Sequence, residues 1–463
     1  MSEPLIAPSA SAIPVTLVSE ASAPAALAAL GGAAQGLAQL QGFKGQAGGL
    51  LLVPGDGGTP SAVLFGLGAS GDALLLRQLP SRLPAGDYRL ERLPEGLDPT
   101  LAVTAFALGG YVFDRYKAER GKPRARLAVP EGADLSEARR LAHAAALARD
   151  MINTPAADMG PLQIETVARE LAEAHGAALT VVTGEALLET GYPAVHAVGR
   201  AAAPHRAPRM IELSWGDPAA PVVAVVGKGV VFDTGGLNLK PGAGMRLMKK
   251  DMGGAAHALA LARLVMEAAL PVRLVLLLPV VENAVSGDAF RPGDVLATRK
   301  GLTVEVGNTD AEGRLILAEA LTRAGEHDPV LTVDFATLTG AARVALGPQL
   351  PPLYTDDEGW AADLLAAAGA VSDPLWRLPL WRPYAEALNS EVADLGNDGD
   401  AWAQAGSVVA ALFLQRFAPG SGAWVHFDVF AWNPKSRPGW PVGGELQAVR
   451  AVYAALKARF PAG

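Results

Sequence analysis

From residue 156 onward, short apolar runs alternate with longer amphipathic stretches, and that alternation carries most of the structural information in the chain. Strand-length apolar runs fall at 179–182, 209–213, 222–226, 272–281 and 330–336, and helical periodicity fits 162–175 and 253–269. Nearly continuous apolar strands alternating with helices predict an α/β fold, with a mixed, mostly parallel central sheet flanked by helices on both faces. The first 135 residues repeat the pattern on a smaller scale. Strand-like runs at 14–18, 49–53, 62–67, 73–79 and 126–129 surround helix-like stretches at 23–40 and 100–116. An alanine-rich helical stretch at 135–151 then leads to Asn153-Thr154-Pro155, the best boundary signal present. The predicted organisation is a small N-terminal α/β domain (1–135), a linker helix (136–155) and a larger α/β domain (156–463).

Within that frame, Asn308-Thr309-Asp310-Ala311-Glu312-Gly313-Arg314-Leu315 places two carboxylates and a guanidinium at one strand-to-helix junction. The β-branched alternation of 303–306 predicts a strand before it, and 315–321 has the character of a buried helix after it. Residues two apart on extended backbone point the same way, which would aim Asp310 and Glu312 into one cavity. Buried carboxylates left unpaired are costly, and protonation or a bound cation is the usual remedy. More acid lies upstream: Lys228, Asp233 and Lys240 sit in a glycine-rich stretch after the apolar run 222–226, and Asp251 precedes the helix predicted from 253. Taken alone, Asp251 reads more simply as an N-cap than as a ligand.

These segments resemble the leucine (cytosol) aminopeptidase family of dinuclear-metal exopeptidases. NTDAEGRL at 308–315, VGKGVVFDTGG at 226–236, NLKP at 238–241, GMRLMKKDMGGAA at 244–256 and ATLTGA at 336–341 occur in the family's order and at compatible spacings. The match is strong from about 150 to 350, while the first 140 residues agree only in general character. The resemblance implies that 156–463 is a catalytic metallopeptidase domain. It also implies that one metal is held by Asp233, Asp310 and Glu312, with the Asp310 carbonyl, and a second by Lys228, Asp233, Asp251 and Glu312. Asp233 and Glu312 would bridge ions roughly 3.5–4 Å apart. Four carboxylates balance two divalent ions, zinc or manganese, and lysine ligates only as the neutral amine.

The same resemblance implies a water nucleophile, a bicarbonate-type general base held by Arg314, and Lys240 stabilising the oxyanion. Met248, Asn308, Thr337 and Gly340 would lie near the first substrate residue, although core packing is an alternative for Met248 and Thr337. The substrates implied are peptides with a free N-terminus, and a homohexamer is implied by resemblance alone. Rival readings are a non-catalytic regulatory or binding protein on the same scaffold, and a two-metal phosphoesterase or deacetylase. Intact ligands with Lys240 and Arg314 disfavour the first, and the Lys228 ligand with the anion-binding arginine disfavours the second.

Composition narrows the field further. The chain has 463 residues, 50% of them hydrophobic, yet no run approaches the ~18 apolar residues that would span a bilayer. Met1-Ser2-Glu3-Pro4-Leu5 lacks a basic stretch followed by an apolar one, so no secretory signal is expected. The absence of cysteine excludes disulfides, thiolate catalysis and cysteine-ligated zinc, and fits a cytoplasmic location. A net charge of −8 argues against nucleic acid as a partner, and Arg246, Lys249 and Lys250 read as a solvated or site-rim run. No HExxH motif occurs; His257 and His426 read as core or interface residues rather than ligands, and Gly66-Leu67-Gly68 lacks the rest of a dinucleotide fingerprint. The stretch 428–435, with Arg437-Pro438-Gly439-Trp440-Pro441 after it, departs most from the family pattern and would wall the substrate pocket.

Overall fold

The computed structural model describes residues 3–69, 71–399 and 404–461; Met1 and Ser2 of the N-terminal stretch lie outside the described residues. The chain forms two compact units, Met1–Ala146 with Lys435–Val442, and Leu147–Pro434 with Gly443–Gly463. The division falls inside the helix Leu135–Asn153. Among the described residues no helix is long and apolar enough to cross a membrane.

The first unit holds a six-stranded sheet built from β1 (Leu5–Ile6), β2 (Ile13–Val18), β3 (Leu50–Pro54), β4 (Pro60–Gly66), β5 (Gly86–Leu90) and β6 (Ala125–Ala128). Their order is β1-β6-β5-β2-β4-β3, all parallel except β3 against β4. Val15, Val63, Phe65 and Leu127 join Val103 and Phe106 of the helix Pro99–Gly109 in one core. Three features depart from the sequence reading. The run at 73–79 is not a strand but a 3-10 helix, Ala73–Gln78, started by Asp72, whose side chain accepts from the Leu74 N–H at 2.9 Å. The helical stretch 23–40 is two helices, Ala23–Leu30 and Gly32–Gln41, separated by Gly31 at φ 89°, a conformation that suits glycine. β5 was not foreseen, because its inward Tyr88 and Leu90 are masked by the outward Asp87 and Arg89.

The second unit is organised on a nine-stranded mixed sheet. Its strands are β7 (Ala178–Thr183), β8 (Arg209–Trp215), β9 (Val222–Gly227), β10 (Gly229–Asp233) and β11 (Arg273–Asn283), followed by β14 (Leu331–Ala336), β15 (Pro352–Tyr354), β16 (Trp376–Arg377) and β18 (Ala423–Asp428). A smaller three-stranded sheet holds β12 (Val295–Ala297), β13 (Thr303–Glu305) and β17 (Leu395–Gly396). The main order is β16-β15-β18-β14-β9-β11-β8-β7, with β10 alongside β11; β18, β14, β9, β11 and β10 are parallel, and antiparallel pairings flank them.

Helices cover both faces. Ala224 and Val226 share a core with Leu315 to Ala324 of the helix Glu312–Gly325, whereas a Cβ on Gly227 would meet Ala255 Cα and Ala258 Cβ at 2.7 Å, in the helix Gly253–Glu267. That second helix begins at a glycine for the same reason. A Cβ on Gly254 would come within 2.2 Å of the Phe335 carbonyl oxygen and 2.7 Å of the Lys228 nitrogen. Only glycine lets the helix start sit directly on the ends of β9 and β14, and this close approach sets Asp251, just before the helix, beside Lys228.

Candidate functional site

The candidate side chains lie at the carboxyl end of a strand, in the loop after it or in the first turn of the helix that follows, where open parallel sheets place their sites. Lys228 is the one residue between β9 and β10, Asp233 ends β10, Thr337 comes directly after β14, and Glu312 opens the helix Glu312–Gly325. Asp310 and Glu312 do come close to each other, but only Asp310 lines the cavity, and extended-strand alternation is not what joins them. Asp310 sits in a turn, its N–H bonded to Asn308 Oδ1 at 2.8 Å, and Glu312 is swung round by the first helical turn. Ligand oxygens of Asp233, Asp310 and Glu312 lie within 4.8 Å of one another.

Two lysines are threaded through these acids. Lys228, 3% exposed, has Nζ 2.7 Å from Asp251 Oδ2 and 3.0 Å from Glu312 Oε1, and donates to the Thr337 carbonyl at 3.2 Å. Lys240 Nζ stands 2.8 Å from Asp233 Oδ2 and pairs with Asp310. Burial opposes both ammonium charges, yet Asp251 and Glu312 for Lys228, and Asp233 and Glu312 for Lys240, outweigh it and hold both above the ordinary lysine range. Burial and the neighbouring Asp233 push the Glu312 carboxyl up to about 8 and that of Asp310 to about 6. Neither Glu312 oxygen accepts a hydrogen bond among the described residues. Asp251 is not a helix cap: Met252 occupies the N-cap position, and Asp251 Oδ1 accepts from Thr337 Oγ1 at 2.7 Å.

Residues that the sequence did not single out hold this array in place. Asn283, at the end of β11, donates from Nδ2 to Asp233 Oδ1 at 2.8 Å and to the Thr309 carbonyl at 3.0 Å, tying two acidic loops together. Thr309 Oγ1 donates to the Gly235 carbonyl at 2.6 Å. Asn397 Oδ1 accepts from the Gly307 and Asn308 N–H groups at 2.8 and 3.2 Å. Asp428, ending β18, accepts from Leu338 N, Thr339 N, Thr339 Oγ1 and Ser407 Oγ. The signal available was a polar residue closing an apolar run, Asp428 after Phe427 and the pair Glu282-Asn283 after Val281.

A cavity of about 410 Å³ opens over the array, lined by Lys228, Asp233, Lys240, Asp251, Asp310 and Arg314 together with Met248, Asn308, Thr337 and Gly340. Glu312, only 1% exposed, meets Lys228 from outside that lining. Arg314 is buried beside Phe413, 5.9 Å from the ring centroid, with Nε and Nη1 making no hydrogen bond among the described residues. Burial draws its pKa down to about 10 against the pull of Asp398 and Glu312. The basic run does not behave as one solvated feature. Arg246 is exposed, Lys249 Nζ donates to the Asn153 carbonyl at 2.5 Å, and Lys250 is buried in the cavity wall, its pKa pushed down to about 8 by burial. His257 and His426 are fully buried, as read; His426 Nδ1 lies 2.6 Å from Asp334 Oδ1 within the sheet.

The donor set fits divalent cations: three mutually close carboxylates and a fourth beside Lys228 suit hard oxygen-loving ions. Residues 146–452 match the sequence profile of the cytosol aminopeptidase family, catalytic domain, and residues 13–130 that of the M17 aminopeptidase N-terminal domain. A probable cytosol aminopeptidase of Syntrophotalea carbinolica is 38% identical, covering 90% of this chain and 89% of its own. The crystal structure of the cytosol aminopeptidase from Coxiella burnetii is 43% identical with a TM-score of 0.93, covering 98% of this chain and 99% of that one. The bottromycin maturation enzyme BotP in complex with Mn is 33% identical with a TM-score of 0.85, covering 97% and 100%. The chain thus belongs to the cytosol aminopeptidase family of metal-dependent exopeptidases.

Proposed function

We propose that this aminopeptidase removes single residues from free peptide N-termini, with Lys228, Asp233, Asp251, Asp310 and Glu312 holding two divalent cations, zinc or manganese, shared through Asp233 and Glu312. When bound, such ions supply an acidified water nucleophile and polarise the scissile carbonyl. The observation that carries the reading is that oxygens of Asp233, Asp310 and Glu312 lie within 4.8 Å of one another, with Asp251 brought alongside by Lys228, which reaches both Asp251 and Glu312. The manganese in the BotP structure favours the same ion class.

The chain's own groups divide the remaining work. Lys240 stands at the cavity with its ammonium on Asp233 and Asp310, and its charge meets the oxyanion that develops as the tetrahedral species forms. Arg314, with two N–H groups unspent, holds bicarbonate as the proton-accepting base. Thr337 fixes Asp251 and, with Met248, Asn308 and Gly340, positions the first substrate residue. By family resemblance the assembly is a homohexamer working in the cytoplasm.

The test compares Leu-Gly-Gly with its N-acetyl form on metal-loaded protein. Cleavage of the free peptide alone is expected, because the α-amine must itself enter the cation site. Comparable cleavage of both would turn the reading toward a general peptidase or amidase.

A further inference from the structure

Two cations in the cavity wall take no part in the chemistry just described. Lys250 Nζ lies 5.2 Å from the centroid of the Phe430 ring, and Arg343 Cζ lies 4.8 Å from the same centroid. Both line the cavity beside Met248, Thr337 and Gly340, and Arg343 Nη2 stands 4.0 Å from where a Cβ on Gly340 would be. Lys250 is 6% exposed. Among the described residues neither side chain makes a hydrogen bond to a protein group or an ion pair with a carboxylate; the Phe430 ring is the partner each has.

A buried ammonium without a counter-charge is an expensive arrangement, and an aromatic face offsets only part of it. The nearby acids are already committed. Asp251 is engaged by Lys228 and by Thr337, and Asp428 accepts four hydrogen bonds of its own. Outside the acidic array the cavity is also lined by Arg314 and Asp398, and Asp398 acts on Arg314. Arg343 is exposed and keeps its water, so the uncompensated charge is that of Lys250: an aliphatic first side chain would bury methyl groups against it, whereas a short chain ending in a carboxylate would pair with Lys250 and with Arg343 beside it.

We propose that Lys250 and Arg343, set on the Phe430 ring, form an anion subsite for the side-chain carboxylate of the substrate's first residue, so that peptides beginning with glutamate or aspartate are preferred. This rests on the aminopeptidase reading above and deepens it. Glutamine is the discriminating control, since it matches glutamate in size and lacks only the charge.

The experiment measures kcat/KM on the metal-loaded full chain with Glu-, Asp-, Gln- and Leu-aminoacyl coumarin amides, for wild type, Lys250→Met, Lys250→Arg and Arg343→Met. A charge-assisted contact predicts a Glu/Gln ratio of at least about tenfold in the wild type. Lys250→Met and Arg343→Met should each reduce that ratio severalfold, and Lys250→Arg should retain it. Because the ratio is internal to each protein, a general loss of activity does not imitate the result. A wild-type ratio near one, or a ratio unmoved in both methionine variants, overturns the subsite while leaving the aminopeptidase reading intact. Turnover of none of the four substrates counts against the aminopeptidase reading. The subsite is then judged on the melting-temperature shifts given by L-glutamate and L-glutamine, and equal shifts overturn it.

Discussion

Replacing Gly313 by alanine should damage the metal site more than the fold. Gly313 is the second residue of the helix Glu312–Gly325, and a Cβ there would lie 2.6 Å from Lys228 Cε and 2.8 Å from its Cδ and Nζ. Ordinary contact begins near 3.4 Å, so something must move by about 0.8 Å, the difference between 3.4 and 2.6. The obstruction is a side chain, which could step aside cheaply if it were free. Lys228 is not free: its N–H is bonded to the Phe335 carbonyl at 3.0 Å, its carbonyl accepts from Ala255 at 2.8 Å, and its Nζ is caught between Asp251 and Glu312. Moving the helix instead displaces Glu312 itself, since residues 312 to 321 are all buried. Overpacking of this kind costs about 1–3 kcal/mol, and a misplacement near 1 Å in catalytic machinery costs on the order of 10²-fold in rate. Metal content per chain, kcat on an aminoacyl amide and thermal unfolding should be measured together. The expected pattern is weakened metal binding and a large fall in kcat with modest destabilisation. The control is Gly36→Ala in the helix Gly32–Gln41, where a Cβ meets nothing within 4 Å and stability should rise by roughly 0.5–1 kcal/mol. A Gly313→Ala protein with two ions per chain and kcat within a factor of two would refute the reasoning.

Other groups give further expected outcomes. Glu312→Gln should weaken both cation sites together, and metal analysis showing two tightly held ions with a near-normal rate would remove its shared role. Lys240→Ala should lower kcat by on the order of 10²–10³ while leaving ion content unchanged, and a comparable loss of metal would reassign Lys240 to the ligand set. Arg314→Ala should lose the dependence on added bicarbonate, which a titration of activity against bicarbonate reads directly. Rates on peptides should climb from neutral to mildly alkaline pH as the substrate α-amine, at roughly 7.7–8.0, loses its proton; a flat profile over that range would contradict amine ligation. His257 should make folding acid-sensitive: burial holds its pKa down to about 4, its Nδ1 faces the Gly253 carbonyl at 2.7 Å and its Nε2 accepts from Gln447 N at 3.0 Å. The unfolded chain therefore binds the extra proton first, and up to roughly 3 kcal/mol should be lost as pH falls from about 6.5 toward 4; His257→Gln should flatten that part of the stability curve.

The parallel strands were legible because a strand buried on both faces leaves an unbroken apolar run, as in 222–226 and 272–281, and a sheet covered by helices has few other readings. The proposed ligands were legible through the family motifs that carry them, since Asp251 taken alone reads as an N-cap and only Lys228 and Asp233 follow closely on an apolar run. What the sequence concealed is of two kinds. Asn283, Asn397 and Asp428 act across the fold, joining loops 26 to 90 residues apart in the chain, and no local spacing announces a hydrogen bond of that range. The run at 73–79 misled because apolar content without β-branching says little about helix or strand, and the decisive residue was the cap Asp72 just outside it. For Lys250 the site-rim alternative is the one that fits, since it lines the cavity against Phe430, but its neighbours Arg246 and Lys249 give no sign of its burial.

The cations of the site fall into two groups by what they touch, and the division bears on role. Lys228 lies between the carboxylates of Asp251 and Glu312, and Lys240 between those of Asp233 and Asp310. Arg314 and Lys250 are buried to a similar degree but meet an aromatic ring, Phe413 or Phe430, and no carboxylate at ion-pair distance among the described residues. A ring excludes water without neutralising the charge, which keeps the cation available to an incoming anion at full strength in a low-dielectric wall. On the two roles proposed above, Arg314 would serve the base and Lys250 the substrate side chain, as separate anion positions. If that separation holds, Arg314→Ala and Lys250→Met should combine additively in the free energy of kcat/KM for a glutamyl substrate, because neither site borrows its counter-charge from the other. A coupling of more than about 1 kcal/mol would mean that the two positions share one anion, and the assignment of distinct roles would fall.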